Sequence, residues 1–583
     1  MTFTTRPTLR GTFGMVSSTH WLASQSAMRI LELGGNAFDA GAAAGFVLHV
    51  VEPHLNGPGG EVPAIIATAD DPAPRVLSGQ GVAPAAATIE HYRSLGLTLV
   101  PGSGPLAATV PGAVDAWLLL LRDHGTLPLS VVLEPAIEYA RNGHPLVPRI
   151  ADTIATVQEL FEQHWPTSAA LWLKDGRPVT GRFSNAAYAD TLERLVREAT
   201  GADRQEQIEG ARKAWREGFV ADAIDRFSRI PHRDSSGEDH GGLITGADLA
   251  AFEASWEDPA TYDWNGYTVA KTGPWGQGPA LLQSLAVLAA LGEVDLDSAE
   301  GVHTTVEVMK LSYADREAWY GDAADVPLET LLSPAYAAER AKLVGADASL
   351  ELRPGRPDGR APVLPSVAAG NETGDATTGE PTVSPVGEMR GDTCHVDVVD
   401  RWGNMISATP SGGWLQSSPT IPELGFCLGS RAQMFWLEEG LPASLAPGKR
   451  PRTTLTPTLV LRDGAAVMAC GSPGGDQQDQ WQLLFLLRHL GAGLELQEAI
   501  DAPAWHTTGF PSSFYPRATE PGGLVVESRV GAHVRDDLVR RGHVVTESDP
   551  WSLGRLCAVR KESDGILAAA ANPRGMQGYA VGR

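Results

Sequence analysis

The chain has 583 residues, of which 46 are lysine or arginine and 70 are aspartate or glutamate, so its formal net charge at pH 7 is −24. This charge argues against binding to a nucleic-acid backbone, which requires clustered cations. Because 43% of the residues are hydrophobic, the chain can form a substantial core. Its four cysteines include no C-x-x-C pair, so we expect neither a disulfide framework nor a zinc knuckle.

The first ten residues are polar and contain no apolar run of the secretory-signal type. No apolar stretch reaches the ~20 residues that a membrane-spanning helix needs. The sequence therefore predicts a cytoplasmic protein without a membrane partner.

Helices are predicted along most of the first 345 residues. Apolar residues recur at helical spacing over residues 21–33, and Gly34-Gly35-Asn36 then provides a helix stop signal. A second helix, rich in small residues, is predicted over residues 39–51. Further helical patterns lie at 114–122, 131–142, 150–165, 212–230, 280–291 and 301–320. This front part of the chain is predicted to be helix-rich.

Residues 353–392 have a composition that predicts flexibility. The segment contains six prolines, several glycines and a Thr/Ser/Glu-rich stretch with almost no bulky side chains. Such a composition cannot bury enough surface to offset the entropy of ordering the chain. We therefore expect a large part over residues 1–392 that ends in this segment, and a small part over residues 393–583.

Strand patterns dominate the part that follows. Residues 393–400 and 405–409 are predicted to form a hairpin around a turn at 401–404, and two more strands are predicted over 456–462 and 465–470. A sharp turn over 471–475 then precedes a helix that extends to about residue 490. We expect a β-rich second part.

Thr393 stands directly after the flexible segment, at the start of the first strand. If the chain is cut between Asp392 and Thr393, the new α-amino group has a pKa near ~8 and can act as the base for the Thr393 hydroxyl. The same hydroxyl can first attack the Asp392 carbonyl, so one nucleophile explains both maturation and turnover. Cys394 is a rival nucleophile, but in a strand it points to the opposite face.

An acyl-transfer nucleophile also needs donors for the developing oxyanion. Gly474 and Gly475 offer two backbone N–H groups at the start of a helix, with no Cβ in the way. Thr453 and Thr454 add a pair of hydroxyl groups just before a strand. Each feature alone is more often structural than catalytic.

Seven short motifs occur in a fixed order along the chain. They are GGNAFDA at 34–40, VEPH at 51–54 with NGPGG at 56–60, VPG at 110–112, GTLPL at 125–129, GGLIT at 241–245, T-x-H at 393–395 with Asp400 and Gly403-Asn404, and GSPGG at 471–475. Together they resemble the γ-glutamyltranspeptidase (γ-glutamyltransferase, glutathione hydrolase) family of N-terminal-nucleophile hydrolases, from about residue 11 to the end.

This resemblance implies an α+β fold, the four-layer αββα sandwich with two antiparallel sheets between helical layers. It also implies a precursor that cuts itself between Asp392 and Thr393 into a large and a small subunit, which stay together in one intertwined fold without a metal or cofactor. By position, Thr393 matches the family nucleophile and Ser411 the hydroxyl residue that helps to activate it. Gly474 and Gly475 match the oxyanion hole.

The residues that recognise substrate in this family are less well matched. Thr453 and Thr454 stand where the family has two substrate-binding serines. The arginine that binds the glutamyl α-carboxylate falls on Gln80, which cannot supply a charged bidentate contact. Gln433 lies near a family glutamine. An asparagine that reads the substrate aligns with Gly413, and the acidic residue that holds the glutamyl ammonium falls near Trp436. Candidate replacement contacts, chosen for their proximity in sequence to the site, are Arg452, Trp414, Gln477, Gln478 and Trp481.

The reaction is therefore better defined than the substrate. The sequence predicts a γ-glutamyltransferase-like enzyme that transfers a γ-glutamyl-type acyl group to water or an amine. One alternative is a related amidohydrolase, acylase or C–C hydrolase that acts on a non-glutamyl substrate such as an oxamate-like amide. Another is an uncut, non-catalytic scaffold.

A metal hydrolase is the remaining alternative. His49 and His54 are five residues apart, which differs from the i, i+4 spacing of a helical zinc pair. The polar cluster around His232 and His240 is more typical of a solvated loop than of a metal site. We therefore expect no metal.

Overall fold

The computed structural model describes residues 3–366 and 393–583. Two seven-stranded sheets, in which every strand pairing is antiparallel, form its centre. Sheet I has the spatial order Ser255–Glu257, Arg75–Gly79, Val62–Ala67, Met405–Ala408, Val396–Asp400, Gly14–Ser18 and Tyr579–Gly582. Sheet II has the order Leu9–Gly11, Leu567–Ala571, Cys557–Lys561, Ala465–Gly471, Thr458–Arg462, Tyr267–Lys271 and Ala260–Trp264.

Three apolar layers hold the two sheets between helices. Side chains such as Met15, Ile65, Val399, Leu459 and Val559 fill the space between the sheets. A second cluster joins helices to the outer face of sheet I, and a third joins other helices to the outer face of sheet II. This arrangement confirms the predicted αββα sandwich of two antiparallel sheets.

The helices surround the sandwich and support smaller strand pairs. The described α-helices are Trp21–Glu32, Ala37–Val51, Ile89–Ser94, Ala113–His124, Leu129–Asn142, Pro148–Thr156, Gln158–Gln163, Pro166–Trp172, Ala186–Glu198, Arg204–Glu217, Phe219–Ser228, Gly246–Ala251, Gly278–Leu291, Ala299–Trp319, Leu328–Leu331, Pro334–Ala341, Gln478–Leu486, Leu496–Asp501 and Ala532–Arg540. The strands outside the sandwich are His144–Pro145 with Arg182–Phe183, Leu173–Lys174 with Arg177–Pro178, His232–Arg233 with Asp239–His240, and the set Trp505–Thr507, Gly523–Glu527 and Val544–Ser548.

The helix Ala37–Val51 is buried along its whole length against sheet I. Asn36 begins it with a capping box, in which its side chain accepts from the Phe38 and Asp39 amides. A Cβ on Gly45 would lie 2.4 Å from the Trp117 ring, so glycine lets the two helices pack closely. The small residues that the sequence places in this helix therefore serve tight packing.

The predicted hairpin is present, and Asp400 holds its turn. The Asp400 carboxylate accepts from the amides of Trp402, Gly403 and Asn404 at 2.9–3.0 Å. Its other oxygen accepts from the Ala37 amide at 2.9 Å, which ties the hairpin to the first turn of the buried helix. These contacts fix the strand that begins just after Thr393.

The segment predicted to be flexible lies only partly within the described residues. Residues 353–366 are described, and Arg353 donates to Glu307 at 2.9 Å. Residues 367–392, including Asp392, lie outside the described part of the chain. Among the described helices, none combines the length and apolarity needed to cross a membrane.

Candidate active site

Thr393 is fully buried, and neighbouring segments hold its backbone. It forms an antiparallel bridge with Ser411, and its carbonyl accepts from the Arg555 guanidinium at 3.0 Å. The next amide, that of Cys394, donates to the Pro410 carbonyl at 2.9 Å. The backbone of the candidate nucleophile is therefore held by Arg555 and by the segment that contains Pro410 and Ser411.

The side chains of Thr393 and Ser411 contact each other. Their hydroxyl oxygens are 3.2 Å apart, and Arg431 Nη2 lies 2.9 Å from Ser411 Oγ. Because a guanidinium only donates, Ser411 Oγ must accept from Arg431. Either hydroxyl can be the donor in the Thr393–Ser411 contact. Ser411 therefore links the candidate nucleophile to the Arg431 guanidinium.

Arg431 forms a buried ion pair with Glu61 beside these hydroxyls. Arg431 Nε and Nη2 both lie 2.5 Å from Glu61 Oε1, and both residues are 1% exposed. The Glu61 backbone exchanges hydrogen bonds with Ser411 at 2.9 and 3.0 Å. Burial raises the pKa of Glu61, while the Arg431 guanidinium acts in the opposite direction. A charged group thus lies next to the candidate nucleophile without exposure to water.

The Cys394 side chain points away from Thr393, Ser411 and Arg431, as the alternation of side chains along a strand predicts. Its thiol donates to Glu52 Oε2 at 2.9 Å and accepts from the Asn56 amide at 3.1 Å. Burial, followed by the negative charge of Glu52, raises the pKa of Cys394 well above its ordinary value. Cys394 is therefore held as a thiol, which is a poor nucleophile.

The turn at residues 471–475 is connected to Thr393 through Arg555. Gly474 and Gly475 have positive φ angles of 128° and 51°, and a 3₁₀ turn then leads into the helix Gln478–Leu486. A Cβ on Gly474 would lie 2.2 Å from the Trp481 ring, so only glycine fits there. The Ser472 hydroxyl accepts from the Arg555 amide at 3.1 Å, so Arg555 joins this turn to the Thr393 carbonyl.

Thr453 and Thr454 adjoin the same turn. The Thr453 carbonyl accepts from the Gln277 amide at 2.9 Å, and the Gln277 side chain donates to the Gly475 carbonyl at 3.2 Å. The Thr454 hydroxyl oxygen is buried with no hydrogen-bond partner among the described residues. Thr393 and Ser411 are thus in direct contact, Arg555 connects Thr393 to the turn at residues 471–475, and Gln277 connects that turn to Thr453.

A model of the γ-glutamyltranspeptidase family matches residues 23–582. The chain belongs to this family. It is therefore an enzyme of the acyl-transferring, amide-hydrolysing kind.

Individual relatives match over the full length. The glutathione hydrolase-like YwrD proenzyme of Bacillus subtilis is 32% identical over 98% of this chain and 99% of its own. The oxamate amidohydrolase proenzyme of Klebsiella pneumoniae is 31% identical over 97% of both chains. The solved structure of LmbA2991HD is 60% identical, covers 100% of both chains and has a TM-score of 0.94.

Gln80, which by sequence aligns with the carboxylate-binding arginine of the family, directly follows a strand of sheet I. Val62 pairs with Gly79 in sheet I, so the register continued by one residue places Gln80 opposite Glu61. Its amide nitrogen donates to the Gly81 carbonyl at 3.3 Å, and its buried amide oxygen has no partner among the described residues. Gln80 thus lies near the Glu61–Arg431 pair with one acceptor unused.

Gln433 and Trp414 hold loops together around the site. The Gln433 amide donates to the Gly102 carbonyl at 3.2 Å and accepts from the Tyr515 amide at 3.1 Å. The Trp414 indole donates to the Leu55 carbonyl at 2.8 Å, and its ring centre lies 5.1 Å from the Arg431 guanidinium carbon. The Trp414 ring therefore packs beside the Arg431 guanidinium.

Arg452 belongs to a buried charge cluster around the glycine turn. It donates to Glu317 at 2.7 Å and to the Arg316 carbonyl at 3.1 Å. Arg316 in turn pairs with Asp476, whose carboxylate accepts from the Ser513 amide at 2.8 Å. Burial opposes ionisation of Asp476, but Arg316 and the Ser513 hydrogen bonds hold its pKa below the ordinary value. Arg452 thus belongs to the ion-pair cluster that holds Asp476, the residue directly after the turn at residues 471–475.

Sequence reasoning missed Glu61, Arg431 and Arg555. Glu61 directly follows the NGPGG motif, so its position gave a signal that could have been used. Arg431 and Arg555 stand in stretches without a recognisable pattern, and only the fold brings them to Thr393.

One cluster of three possible metal ligands occurs in the described part of the chain. Atoms of His303, Glu307 and His543 lie within 4.8 Å of one another. Glu307 already pairs with Lys310 and with Arg353, so two cations balance its charge. This cluster therefore has the charge balance of a structural ion-pair network.

Proposed function

We propose that this chain is a precursor that cuts itself between Asp392 and Thr393 into residues 1–392 and 393–583. Thr393 of the second piece then acts as the nucleophile of an amidohydrolase or acyltransferase. The observation that carries the proposal is the buried row of Thr393, Ser411 and Arg431, in which Arg431 donates to the Ser411 hydroxyl and the Ser411 and Thr393 hydroxyls contact each other.

Self-cleavage requires one acyl shift followed by hydrolysis. The Thr393 oxygen attacks the Asp392 carbonyl carbon, the C–N bond breaks, and the nitrogen takes up a proton to become the new amine. Water then opens the resulting ester, leaving a free Asp392 carboxylate and a free Thr393 hydroxyl.

Turnover uses the same atoms. The free Thr393 amine removes the hydroxyl proton while Oγ1 attacks the substrate carbonyl, and that proton passes to the leaving amine. The N–H groups of Gly474 and Gly475 are the proposed donors to the oxyanion, and loss of one such donor typically costs about 3–4 kcal/mol in the barrier. Water or an amine then removes the acyl group from Thr393.

The first candidate substrate is an amide with a γ-glutamyl-type acyl group, which the enzyme transfers to water or to an amine. Family membership and the similarity to the YwrD proenzyme, which is named glutathione hydrolase-like, support it. Thr453 and Thr454 would contact this substrate.

A second candidate is a smaller non-glutamyl substrate, such as an oxamate-like amide. Gln80 favours it, because an amide side chain at the family arginine position lacks the charge that holds the glutamyl α-carboxylate. The similarity to the oxamate amidohydrolase proenzyme gives further support.

Denaturing gel electrophoresis tests self-cleavage. Of the total mass of 61.7 kDa, the two pieces account for about 41 and about 20 kDa in proportion to their lengths. We expect both bands in the wild-type protein, a single uncut band in Thr393→Ala, and an N-terminal sequence of Thr-Cys-His for the smaller piece.

The substrate is then tested with a chromogenic γ-glutamyl anilide and with oxamate, each offered to the wild type and to Thr393→Ala. A wild-type protein that stays uncut and hydrolyses neither compound would support the non-catalytic scaffold instead.

A further inference from the structure

We propose that a cavity at the end of the helix Gln478–Leu486 binds a small amphipathic monocarboxylate, whose carboxylate contacts Arg488 and whose apolar part packs against Trp264 and Leu487. The cavity has a volume of about 990 Å³. None of the described residues that line it belongs to the candidate active site. The proposal therefore concerns a second site and does not depend on the proposed function.

A π-helical turn carries Arg488 to the cavity wall. The turn is Leu487–Gly491, it continues the helix Gln478–Leu486, and turns of this kind occur frequently at functional sites. Arg488 is 6% exposed, and its Nη2 donates to the Pro503 carbonyl at 2.6 Å. Its guanidinium carbon lies 5.2 Å from the centre of the Trp505 ring. These contacts hold the side chain in place but use only one of its five N–H groups.

The other N–H groups of Arg488 are open to the cavity. Within the described residues, the Pro503 contact is the only hydrogen bond of this guanidinium, and no carboxylate lies within ion-pair distance of it. Arg529 Nε is buried without a partner, whereas no nitrogen of Arg488 is both buried and unpartnered. The nitrogens that lack a partner are therefore reached from the cavity that Arg488 lines.

The charges around Arg488 leave it without a counter-ion. Glu527 forms ion pairs with both Arg529 and Arg574, so one carboxylate balances two neighbouring guanidinium groups. Burial lowers the pKa of Arg488 to about 10, although Asp297 acts in the opposite direction. Arg488 is therefore still charged at pH 7, and an anion is the ligand that balances such a charge.

The acidic residues of the wall limit this anion to a single charge. Asp501 accepts from the Thr5 amide at 2.6 Å, and Glu498 accepts from the Glu495 amide at 3.2 Å, so both carboxylates are used within the protein. The other acidic residues of the wall are exposed and follow the helix Gly278–Leu291; they are Glu293, Asp295 and Asp297. Their negative charges disfavour a second carboxylate on the ligand.

Apolar side chains form much of the remaining wall. They are those of Trp264, Leu288, Leu487 and Leu494. A Cβ on Gly491 would lie 3.2 Å from the Trp264 ring, so this ring packs on the π-helical turn. The Asn265 amide donates to the Leu490 carbonyl at 2.9 Å and ties the neighbouring residue to the same turn. The charge of Arg488 and the apolar surface are thus held together, which favours a ligand with both characters.

Calorimetric titration of the wild-type protein with three eight-carbon probes tests the proposal without turnover. Octanoate carries one carboxylate, octanamide is its neutral analogue, and octanedioate carries a second carboxylate at the other end. We expect octanoate to bind at least about 10-fold more tightly than octanamide, as one charge-assisted contact predicts, and more tightly than octanedioate.

Variants then assign the two ends of the ligand. Arg488→Met and Arg488→Gln both remove the charge, and we expect either one to lose the preference for octanoate over octanamide. A thermal midpoint near that of the wild type shows which of them is folded. Trp264→Ala should weaken the binding of both probes and keep the preference. Arg177→Met, which removes an exposed arginine outside the cavity, is the control and should bind like the wild type.

Three results would overturn the proposal. The first is a wild-type protein that binds octanoate no more tightly than octanamide, or binds neither. The second is a preference for octanoate that persists in a folded Arg488 variant, because the carboxylate would then bind elsewhere, for example beside Thr393. The third is octanedioate binding as tight as that of octanoate, which would contradict a ligand with a single charge.

Discussion

The polarity of single side chains decides how the candidate site can work. Arg431 can only donate, so Ser411 accepts from it and can donate to Thr393. If Ser411 donated to a carboxylate instead, its oxygen could not supply that proton to Thr393. One buried arginine therefore fixes one acceptor role of Ser411, the residue whose hydroxyl contacts the candidate nucleophile.

The buried His506 side chain makes the stability of the folded protein depend on pH. Its ring packs edge-on against Trp481, the residue beneath Gly474, and neither ring nitrogen has a hydrogen-bond partner among the described residues. Burial lowers the pKa of His506 to about 3. Its unfolded pKa is about 6.5, so the unfolded chain takes up the proton first, and stability present above pH 6.5 is lost as the pH falls towards 3.

Replacing His506 by phenylalanine removes this contribution. As the pH falls from 6.5 to 5, protonation of this imidazole in the unfolded chain lowers the free energy of unfolding by about 2 kcal/mol. The slope is about 1.4 kcal/mol per pH unit. We expect the thermal midpoint of His506→Phe to fall less between pH 7 and 5 than that of the wild type. His533→Phe, which changes an exposed imidazole, is the control. Equal decreases in wild type and His506→Phe would show that this ring does not contribute.

Sequence assigns candidate roles to residues that motifs or their position identify, but not to residues that only the fold brings together. Thr393, Ser411 and the two glycines could be proposed because their neighbours in sequence identify them. Arg431 and Glu61 are 370 residues apart in sequence, and no pattern in either stretch predicts their ion pair. Arg452 was chosen for its proximity in sequence, whereas the structure pairs it with Glu317.

At the level of elements, local sequence signals determined most boundaries. The first helix was predicted over 21–33 and is observed at Trp21–Glu32, because Gly34 and Gly35 stop it. The hairpin was predicted from its turn residues and is observed as Val396–Asp400 paired with Met405–Ala408. The helix predicted to begin at residue 476 begins at Gln478, because Gly475–Gln477 forms a 3₁₀ turn first.

The glycine turn is the element on which oxyanion stabilisation depends, and Gly474→Ala tests it. A methyl group there would overlap the Trp481 ring at 2.2 Å, so the backbone must move and the two N–H groups lose their alignment. We expect turnover of any amide that the wild type hydrolyses to fall by about 10²–10³-fold.

Gly493→Ala is the matched control for this change. Gly493 also has a positive φ, 74°, but a Cβ there meets nothing within 4 Å. Its substitution should cost about 1–2 kcal/mol of stability through backbone strain and leave turnover unchanged. Similar turnover in both alanine variants would contradict a role of the turn in catalysis.

Across the whole molecule, both parts of the chain contribute equally to the sandwich. Seven of its fourteen strands precede residue 353 and seven follow residue 392. The prediction of a helix-rich front and a β-rich back was therefore incomplete. Short strands such as Leu9–Gly11 and Ser255–Glu257 give weak local signals, and their places depend on partners hundreds of residues away.

This interleaving predicts that cleavage before Thr393 leaves the two pieces together. Five strand pairs join them: Val396–Asp400 with Gly14–Ser18, Met405–Ala408 with Val62–Ala67, Tyr579–Gly582 with Gly14–Ser18, Leu567–Ala571 with Leu9–Gly11, and Thr458–Arg462 with Tyr267–Lys271. Separation would expose both sheets and the apolar layer between them. In size-exclusion chromatography the cut protein should elute at the volume of uncut Thr393→Ala, with both bands in one peak. Denaturant should separate them, whereas two peaks under native conditions would show that the strand pairs do not hold the pieces together.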